Sequence, residues 1–427
     1  MTRAIQRILS GNILVFSITD MLGNFARALV FPYASLYVLA LGGNAANIGL
    51  INSLALLAGF VMLPIAGYIT DRTNRVRILV LSGLLTSVFL VFTVTATSWQ
   101  VLAAASLLFG MVVFQFPAYA SLVADSLPPG DRGRGISNMN MVSSSLAIVA
   151  PFIAGLLIER YTTNLGIRIL YLVMLVTYLL GTTIQYFFLH EVSATPRGGL
   201  KLSDLTRTLW QSYRTVPALL KAMSRPLKAL AVVVLLSFLV NAVSSPFWVV
   251  YATKEIGLST VDWGLILLIA GIVQLLAFFP AGLLVDRWGR KNTLLVALVI
   301  SLIATPLFVI WESFMGVLIV RIAFAVAFSF ALPACTALMA DLVPRKLRGQ
   351  IMAAIGQGGI MLAPAAGGVG GPALGYLFIP PVMLASLAGG YLYTLNPAYP
   401  WIIAFVLTLL SIAVTVFFVR DAQSAEV

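Results

Sequence analysis

Charged residues are scarce in this sequence. Asp, Glu, Lys and Arg together make up 9% of its 427 residues, while hydrophobic residues make up 60%. Soluble domains carry about 25% charged and about 45–50% apolar residues. A chain with so little charge hides its apolar surface in lipid as well as in a core, so we expect a membrane protein.

Cysteine and histidine each occur once. Cys335 has no partner for an internal disulfide, and the apolar run around it favours a small core residue. His190 stands beside Glu191 at the end of another apolar run, where we expect an interfacial residue. No spacing typical of metal ligands and no nucleophile–base arrangement occurs in the sequence. We therefore predict no metal, no cofactor, no catalytic residues and no enzyme activity.

Long apolar runs are what the sequence has instead. A membrane-spanning helix needs about 20 mostly apolar residues, and twelve such runs, numbered here as spans 1 to 12, occur along the chain. They lie at 12–40, 47–70, 78–97, 99–124, 138–159, 167–190, 228–253, 262–285, 292–311, 313–340, 374–395 and 398–419. Only helices satisfy the backbone in lipid over segments of this length, so the prediction is an all-α membrane protein.

Basic residues are distributed unevenly between the two sides of the predicted bundle. With the N-terminus in the cytoplasm, 21 of the 26 Lys and Arg fall in cytoplasmic segments and 3 in outer loops. This bias predicts a plasma-membrane protein with cytoplasmic N- and C-termini, and it accounts for the net charge of +12 without a nucleic-acid partner.

Arg3 and Arg7 precede span 1 as in a signal peptide, but the run continues past Asp20, so we predict a membrane helix.

Two copies of one pattern stand at half-chain spacing. Residues 282–291 read GLLVDRWGRK and residues 67–77 read GYITDRTNRVR, so that their aspartates are 215 positions apart. Residues 124–133 and 340–349 form a second pair of matching segments, 216 positions apart. A constant offset across several spans indicates two similar six-helix halves around a pseudo-twofold axis normal to the membrane.

The pattern G-x-x-x-D-R-x-G-R-K resembles the signature loop between the second and third helices of each half in the major facilitator superfamily. The first copy departs from it, with Asn74 in place of glycine and Val76 in place of a base. The resemblance implies 12 helices in two pseudo-symmetric bundles and transport by alternating access. It divides the chain into a first bundle at 1–190, a basic linker at 191–227 and a second bundle at 228–427.

The resemblance also implies that these loops act as latches of the inner gate. Asp71 and Arg75 would pair with Asp125, and Asp286 and Arg290 would pair with Asp341. The gating residues implied in this way are Gly67, Asp71, Arg72, Arg75, Asp125 and Arg132 in the first half, and Gly282, Asp286, Arg287, Gly289, Arg290, Lys291, Asp341 and Arg348 in the second.

Ionisable residues inside the spans are few, and span 1 holds two of them. Asp20, Asn24 and Arg27 follow one another at i, i+4 and i+7, so they share one face of a helix. In a first helix that faces a central cavity, Asp20 is the predicted site for a proton or a cationic substrate. The alternatives are a static Asp20–Arg27 pair, or an Asp20 side chain that reaches the cytoplasmic interface.

Arg321 is the buried charge of span 10. The corresponding position in span 4 is Ser106, where proton-coupled members of the family often have an arginine, and this departure weakens the inference of proton coupling. Arg321 either binds a polar or anionic substrate group or has a packing role. Further candidates for the cavity lining are Gln115, Tyr119, Asn241, Trp248 and Tyr251.

Span 5 carries Pro151, Ala154 and Gly155, which resemble the G-P-x-x-G-G motif of antiporters with alanine at two of the glycine places. This favours export, and the alternative is ordinary helix packing.

The linker is predicted as either an amphipathic surface helix or a tether. Residues 356–375 contain eight glycines and two prolines and form an insertion relative to the first half. They are predicted to be a flexible cytoplasmic loop or a loop that occludes the inner mouth.

Together these features predict a secondary transporter that exports drug-like or cationic organic compounds and is coupled to protons. Its partners would be a small-molecule substrate, a coupling proton and membrane lipids, with the chain acting as a monomer without an obligate protein partner. The alternatives are uptake of a sugar, organic acid or other metabolite, and a membrane receptor without flux.

Overall fold

The structure is a computed structural model. It describes residues 10–128, 130–192, 202–356, 358–362 and 374–420, except the side chains of residues 202, 203 and 346. The described backbone is helical and contains no strand. Eleven of its helices are long and apolar enough to cross a membrane. They are Gly11–Ala40, Ala45–Arg72, Arg75–Val94, Trp99–Asp125, Thr163–Phe188, Arg225–Lys254, Thr260–Trp288, Arg290–Ile310, Phe314–Leu342, Tyr376–Leu395 and Tyr399–Phe418. These are spans 1–4 and 6–12 of an all-α, multi-pass membrane protein; Arg3 and Arg7 lie outside the described residues.

Spans 2 and 8 begin with the same reciprocal cap. Asn44 and Asn47 exchange side-chain-to-backbone hydrogen bonds of 2.9 and 3.0 Å at the start of span 2. Ser259 and Asp262 do the same at the start of span 8, each at 3.0 Å. Such a cap satisfies two orphan amides of a helix end. The two caps are 215 positions apart, so the repeat extends to local hydrogen bonding.

Span 5 is interrupted by non-helical turns in the structure, whereas spans 1, 4 and 7 contain only a three-residue 3-10 turn each. It consists of Arg132–Ser144 and Ala150–Arg160, joined by turns. Pro151 lacks the amide that would continue the hydrogen-bond ladder. In the same region Ser143 and Ser145 donate their hydroxyls to carbonyls three residues earlier, at 3.1 and 2.8 Å. Both effects favour a break, which hydropathy alone does not reveal.

The two halves contact each other closely at one end of the bundle, where spans 1 and 7 finish. Spans 2 and 11 meet there through Gly49, Ser386 and Gly390, and a Cβ added at Gly49 would lie 2.5 Å from the Ser386 carbonyl oxygen. The Ser53 hydroxyl donates a 2.9 Å hydrogen bond to the carbonyl of Met383. Small residues allow this backbone approach. The predicted topology places this end outside the cell.

The linker contains a helix, Leu202–Arg214. The Tyr68 hydroxyl of span 2 donates a 3.0 Å hydrogen bond to the carboxylate of Asp204, and the Arg72 guanidinium lies 3.6 Å from the same oxygen. The linker helix is therefore docked on the end of span 2, beside the first signature loop. Residues 193–201 of the linker lie outside the described part of the chain.

The same linker helix also contacts the second half. Tyr213 donates a 2.7 Å hydrogen bond to the carbonyl of Phe60 in span 2. Its ring meets the ring of Tyr376, at the start of span 11, edge to face at 5.6 Å. Trp210 of the same helix is 70% exposed. The predicted helix is present, and its position on a membrane surface stays a prediction.

The described part of the glycine-rich stretch is not a surface loop. Gly356 and residues 358–360 are buried, with Ile360 1% exposed and Leu362 5% exposed. These residues pack among spans 7 and 10 in the core of the second half. The expectation of a flexible cytoplasmic loop is therefore wrong for 356 and 358–362, because apolar side chains follow the glycines and are buried with them. Residues 357 and 363–373 lie outside the described residues.

Candidate functional site

Asp20 lies on span 1, half-buried, with its carboxylate directed toward span 4. The Tyr119 hydroxyl donates a short hydrogen bond to it, and the Tyr119 ring packs edge to face on Phe16 at 5.1 Å. Tyr119 is one of the predicted lining residues, and the structure makes it the partner of the predicted proton site. Within the described residues no ion pair of 4.0 Å or less joins Asp20 to Arg27.

Arg27 is held by other groups on its own span and on span 6. Its guanidinium donates to the Asn24 side-chain oxygen at 2.7 Å and to the Tyr178 hydroxyl at 2.8 Å. The Asn24 amide in turn donates a 3.0 Å hydrogen bond to the Ser143 carbonyl at the break in span 5. The polar face of span 1 thus connects spans 4, 5 and 6, and the alternative of a static Asp20–Arg27 pair does not describe this geometry.

Gln115 of span 4 belongs to the same half. Its side-chain oxygen accepts a 3.0 Å hydrogen bond from the Ser82 hydroxyl of span 3. Gln115 as a whole residue is half-buried.

Three other predicted residues, Asn241, Trp248 and Arg321, come together in the second half. Trp248 packs on Phe308 at 4.2 Å and on Trp401 at 5.9 Å between ring centroids. The guanidinium of Arg321 lies over the Trp248 ring at 5.3 Å. Asn241 precedes Trp248 by seven residues, about two helical turns, on span 7. The result is a buried aromatic cluster with a cation at its edge.

Several polar atoms of this cluster have no hydrogen-bond partner among the described residues. They are Asn241 Oδ1, Ser245 Oγ, Trp248 Nε1, Trp263 Nε1, Tyr393 Oη and Trp401 Nε1. Buried polar atoms are normally satisfied, so a concentration of orphans in one region indicates a place for a polar ligand or water.

The gating loops show matching ion pairs in the two halves. Arg75 lies 2.5 Å from the carboxylate of Asp125, and Arg290 contacts Asp341. Asp71 and Asp286 are exposed, and neither has an ion pair or hydrogen bond within the described part of the chain. The structure therefore brings each loop arginine to its predicted acid and leaves the loop aspartates in solvent.

A second pair of contacts repeats between the halves. Arg132 donates to the carbonyl of Ala124 at 3.0 Å, and Arg348 donates to the carbonyl of Ala340 at 3.1 Å. Both bonds span eight residues and fasten the loop to the end of span 4 or span 10. The matching sequence segments therefore encode one local structure twice.

The two signature loops turn differently. Gly289 has φ +83°, which favours glycine. Asn74, in the corresponding place, has φ −60° and caps span 3 by accepting a 2.9 Å hydrogen bond from the Arg77 amide. The departure in the first copy thus replaces a glycine turn by a capped helix start.

The remaining gating residues make few contacts. Arg72 faces the linker helix, and Lys291 donates a 2.8 Å hydrogen bond to the carbonyl of Val416. Arg287 and Gly282 are exposed, and a Cβ added at Gly67 would meet no atom within 4 Å.

Pro151, Ala154 and Gly155 lie at the junction of span 5 with span 8. The Tyr33 hydroxyl is 2.8 Å from the Pro151 carbonyl and 3.1 Å from the Thr260 carbonyl. Thr260 donates a 3.1 Å hydrogen bond to the Gly155 carbonyl. The antiporter-like residues therefore form a contact between the halves at the predicted outer end.

Sequence reasoning missed Tyr178, Trp263 and Trp401, because no local pattern marks these aromatic residues and only the fold joins them to the site. Metal ligands are a different case. The described residues include no group of three or more His, Cys, Asp or Glu able to hold a metal ion.

A sequence model of the Major Facilitator Superfamily matches residues 16–240 and 230–427. The multidrug resistance protein MdtG of Salmonella dublin is 27% identical over 287 residues, which cover 65% of this chain and 67% of that protein. The nucleoside transporter NupG has a similar structure, with a TM-score of 0.66 at 15% identity over 95% of this chain and 97% of that chain. A D-xylose-proton symporter gives a TM-score of 0.64 at 17% identity over 96% and 98%. The two structural likenesses show the fold.

Proposed function

The chain belongs to the Major Facilitator Superfamily, and from that membership we propose that it exports drug-like organic compounds, cationic ones among them, in exchange for protons. The chain is a membrane transporter that moves a small solute by alternating access. Similarity to MdtG, a protein named for multidrug resistance, supports export of such compounds. Like its relatives it acts on a small molecule.

The observation that supports proton exchange is the environment of the Asp20 carboxylate. Its carboxylate receives a hydrogen bond from Tyr119, whereas Arg27 is engaged by Asn24 and Tyr178. A carboxylate inside a membrane span without a fixed basic partner is able to bind either a proton or a cation. Competition of the two for one site couples export of a cation to entry of a proton.

The moving bodies in this proposal are the bundles at 1–190 and 228–427. Rocking between them alternately opens the two sides. The pairs of Arg75 with Asp125 and of Arg290 with Asp341 would hold the gating loops in place within each bundle. We place both termini in the cytoplasm and the protein in the plasma membrane as a monomer, following the distribution of Lys and Arg.

The test uses purified protein in liposomes with an imposed pH gradient and ethidium as the cationic probe. We expect gradient-driven ethidium movement in the wild type, loss of it in Asp20→Asn, and normal movement in Glu312→Gln. Glu312 is an exposed carboxylate between spans 9 and 10 and serves as the matched control. Undiminished coupled movement in Asp20→Asn would remove Asp20 from the coupling role.

A second candidate function is uptake of an anionic or hydroxylated metabolite. The observation in its favour is Arg321, which is 4% exposed beside Trp248 and Trp263. If ethidium does not move in any variant, sugars and organic acids are screened by ligand-induced thermal stabilisation. Stabilisation by an acid that is lost in Arg321→Gln would support uptake.

A further inference from the structure

The glycine-rich stretch enters the membrane interior of the second half. After the short helix Arg348–Ile355 the chain leaves the helical conformation at Gly356 and Gly358, whose φ values are +90° and +80°. The Met361 amide donates a 3.2 Å hydrogen bond to the hydroxyl of Ser237. Ser237 is twelve residues inside span 7, which at 1.5 Å per residue is about 18 Å from its start. The bilayer core is about 30 Å thick, so the segment reaches its middle.

Irregular backbone at this depth requires protein around it, since lipid offers no hydrogen bonds. The fit is close: a Cβ added at Gly358 would lie 2.8 Å from Met339 Cβ and 3.2 Å from Thr336 Cα. Gly375 packs against Gly356 where span 11 begins. Residues 358–362, which we call the glycine plug, therefore penetrate between spans 7 and 10.

The tip of the glycine plug forms one wall of a small cavity. The cavity has a volume of about 10 Å³, room for about one water molecule. Its lining comprises Val240, Asn241, Ser244, Trp248, Thr305, Phe324, Met361, Leu362, Trp401 and Ala404. Of these, Asn241 Oδ1 and the indole nitrogens of Trp248 and Trp401 have no hydrogen-bond partner among the described residues. Asn241, Trp248 and Trp401 are 4%, 3% and 1% exposed.

The orphaned atoms define the chemistry of a fitting ligand. Two indole N–H groups offer donors and Asn241 offers one acceptor, so a ligand group needs both an acceptor and a donor at its edge. The walls are aromatic, with Trp401 stacked on Phe308 at 5.2 Å. The guanidinium carbon of Arg321 lies 5.3 Å from the centre of the Trp248 ring, and its positive charge disfavours a cation in the same place.

We propose that this cavity is the closed form of a subsite for the uncharged aromatic part of the transported compound, and that it opens to the size of a ring when the ligand displaces Met361 and Leu362 of the glycine plug. This proposal rests on the proposed export function. It concerns the part of the substrate that Asp20 does not bind. Met361 suits a displaceable wall, because its unbranched side chain repacks easily. Left-handed glycines at the entry allow the backbone to turn where other residues would be strained.

Binding is measured by calorimetry on purified protein in detergent without a gradient, with chloramphenicol as the uncharged aromatic probe. We expect Trp401→Phe, which keeps the ring and removes the N–H, to weaken binding about tenfold, and Asn241→Ala to weaken it similarly. Trp210→Phe, on the exposed face of the linker helix, is the matched control and should bind normally. No saturable binding, or equal affinity in all four proteins, overturns the subsite.

Alkylation of Cys335 measures displacement of the glycine plug. Cys335 is the one cysteine of the chain and is buried, and its carbonyl oxygen would lie 3.3 Å from a Cβ at Gly358. We expect saturating chloramphenicol to accelerate alkylation of Cys335 by N-ethylmaleimide at least fivefold, with Cys335→Ala as the blank. Binding with an unchanged alkylation rate shows the plug to be a fixed part of the core. Because neither assay needs a gradient, loss of ethidium exchange with retained chloramphenicol binding points to failure of the proposed function alone.

Discussion

The hydroxyl of Tyr119 on span 4 donates its hydrogen bond to the carboxylate of Asp20 on span 1. This contact joins two helices of the first half at the predicted proton site. A hydrogen bond to a charged group contributes about 1.5–3 kcal/mol. Tyr119 therefore fixes the position of the Asp20 carboxylate through this hydrogen bond.

Replacing Tyr119 by Phe should reduce pH-driven ethidium transport about tenfold, because Asp20 loses its positioning partner while the packing on Phe16 is kept. The initial rate in liposomes at a fixed pH gradient is the measurement. Tyr186→Phe is the control, since Tyr186 is 65% exposed on span 6. A wild-type rate in Tyr119→Phe would leave the hydrogen bond without a part in transport.

Asp286→Asn should slow transport several-fold with little change in substrate affinity. Asp286 is exposed and pairs with no described residue in this conformation. We therefore expect it to contribute in the state in which the inner gate is closed. Affinity by calorimetry and turnover in liposomes separate the two effects. A large loss of affinity at an unchanged rate would contradict the latch.

The contacts of the linker helix differ in strength. The pair of Asp204 with Arg72 is 35–39% exposed, and exposed pairs contribute about 0–1 kcal/mol. Tyr213 makes a partly buried hydrogen bond and an aromatic contact, and burial raises the pKa of its hydroxyl, which keeps it a donor.

Limited trypsin digestion at the exposed Arg207 or Arg214 measures how often the linker helix leaves its dock. We expect Tyr213→Ala to speed cleavage about tenfold, corresponding to about 1.4 kcal/mol, and Asp204→Ala to change it less than threefold. The reverse order would show that charge holds the linker helix.

Two glycines of span 2 provide a matched test of the junction between the halves. A Cβ at Gly49 would meet Gly390 Cα at 3.1 Å, whereas at Gly59 it would meet only Val113 Cγ1, at 3.9 Å. Gly49→Ala should therefore reduce transport strongly, while Gly59→Ala stays near the wild-type rate. Equal rates of ethidium movement in the two variants would show that close approach of spans 2 and 11 is dispensable.

Much of the fold was predictable because its signals are local and repeated. Apolar length located the spans, and the half-chain offset predicted two related bundles. The break in span 5 escaped because Pro151 and the serines before it act on hydrogen bonds and not on hydropathy. The buried glycine plug escaped for a different reason: glycine content predicts irregular backbone but not where that backbone lies.

The candidate site was predictable in part. Asp20, Asn24 and Arg27 were found by their helical spacing, since one helix face is a sequence property. Their partners Tyr119 and Tyr178 depend on how spans 4 and 6 are arranged around span 1. Trp401 joins Trp248 only through packing of spans 7 and 12, which no pattern in either span encodes.

The interruption of span 5 makes that helix an elbow. The piece Ala150–Arg160 contacts span 8 through Gly155 and Thr260, while the piece Arg132–Ser144 contacts span 1 through Asn24 and Ser143. A helix already lacking ladder bonds at its middle bends there at lower cost than an intact one. We therefore expect the two pieces of span 5 to change their mutual angle more easily than the two ends of an unbroken helix.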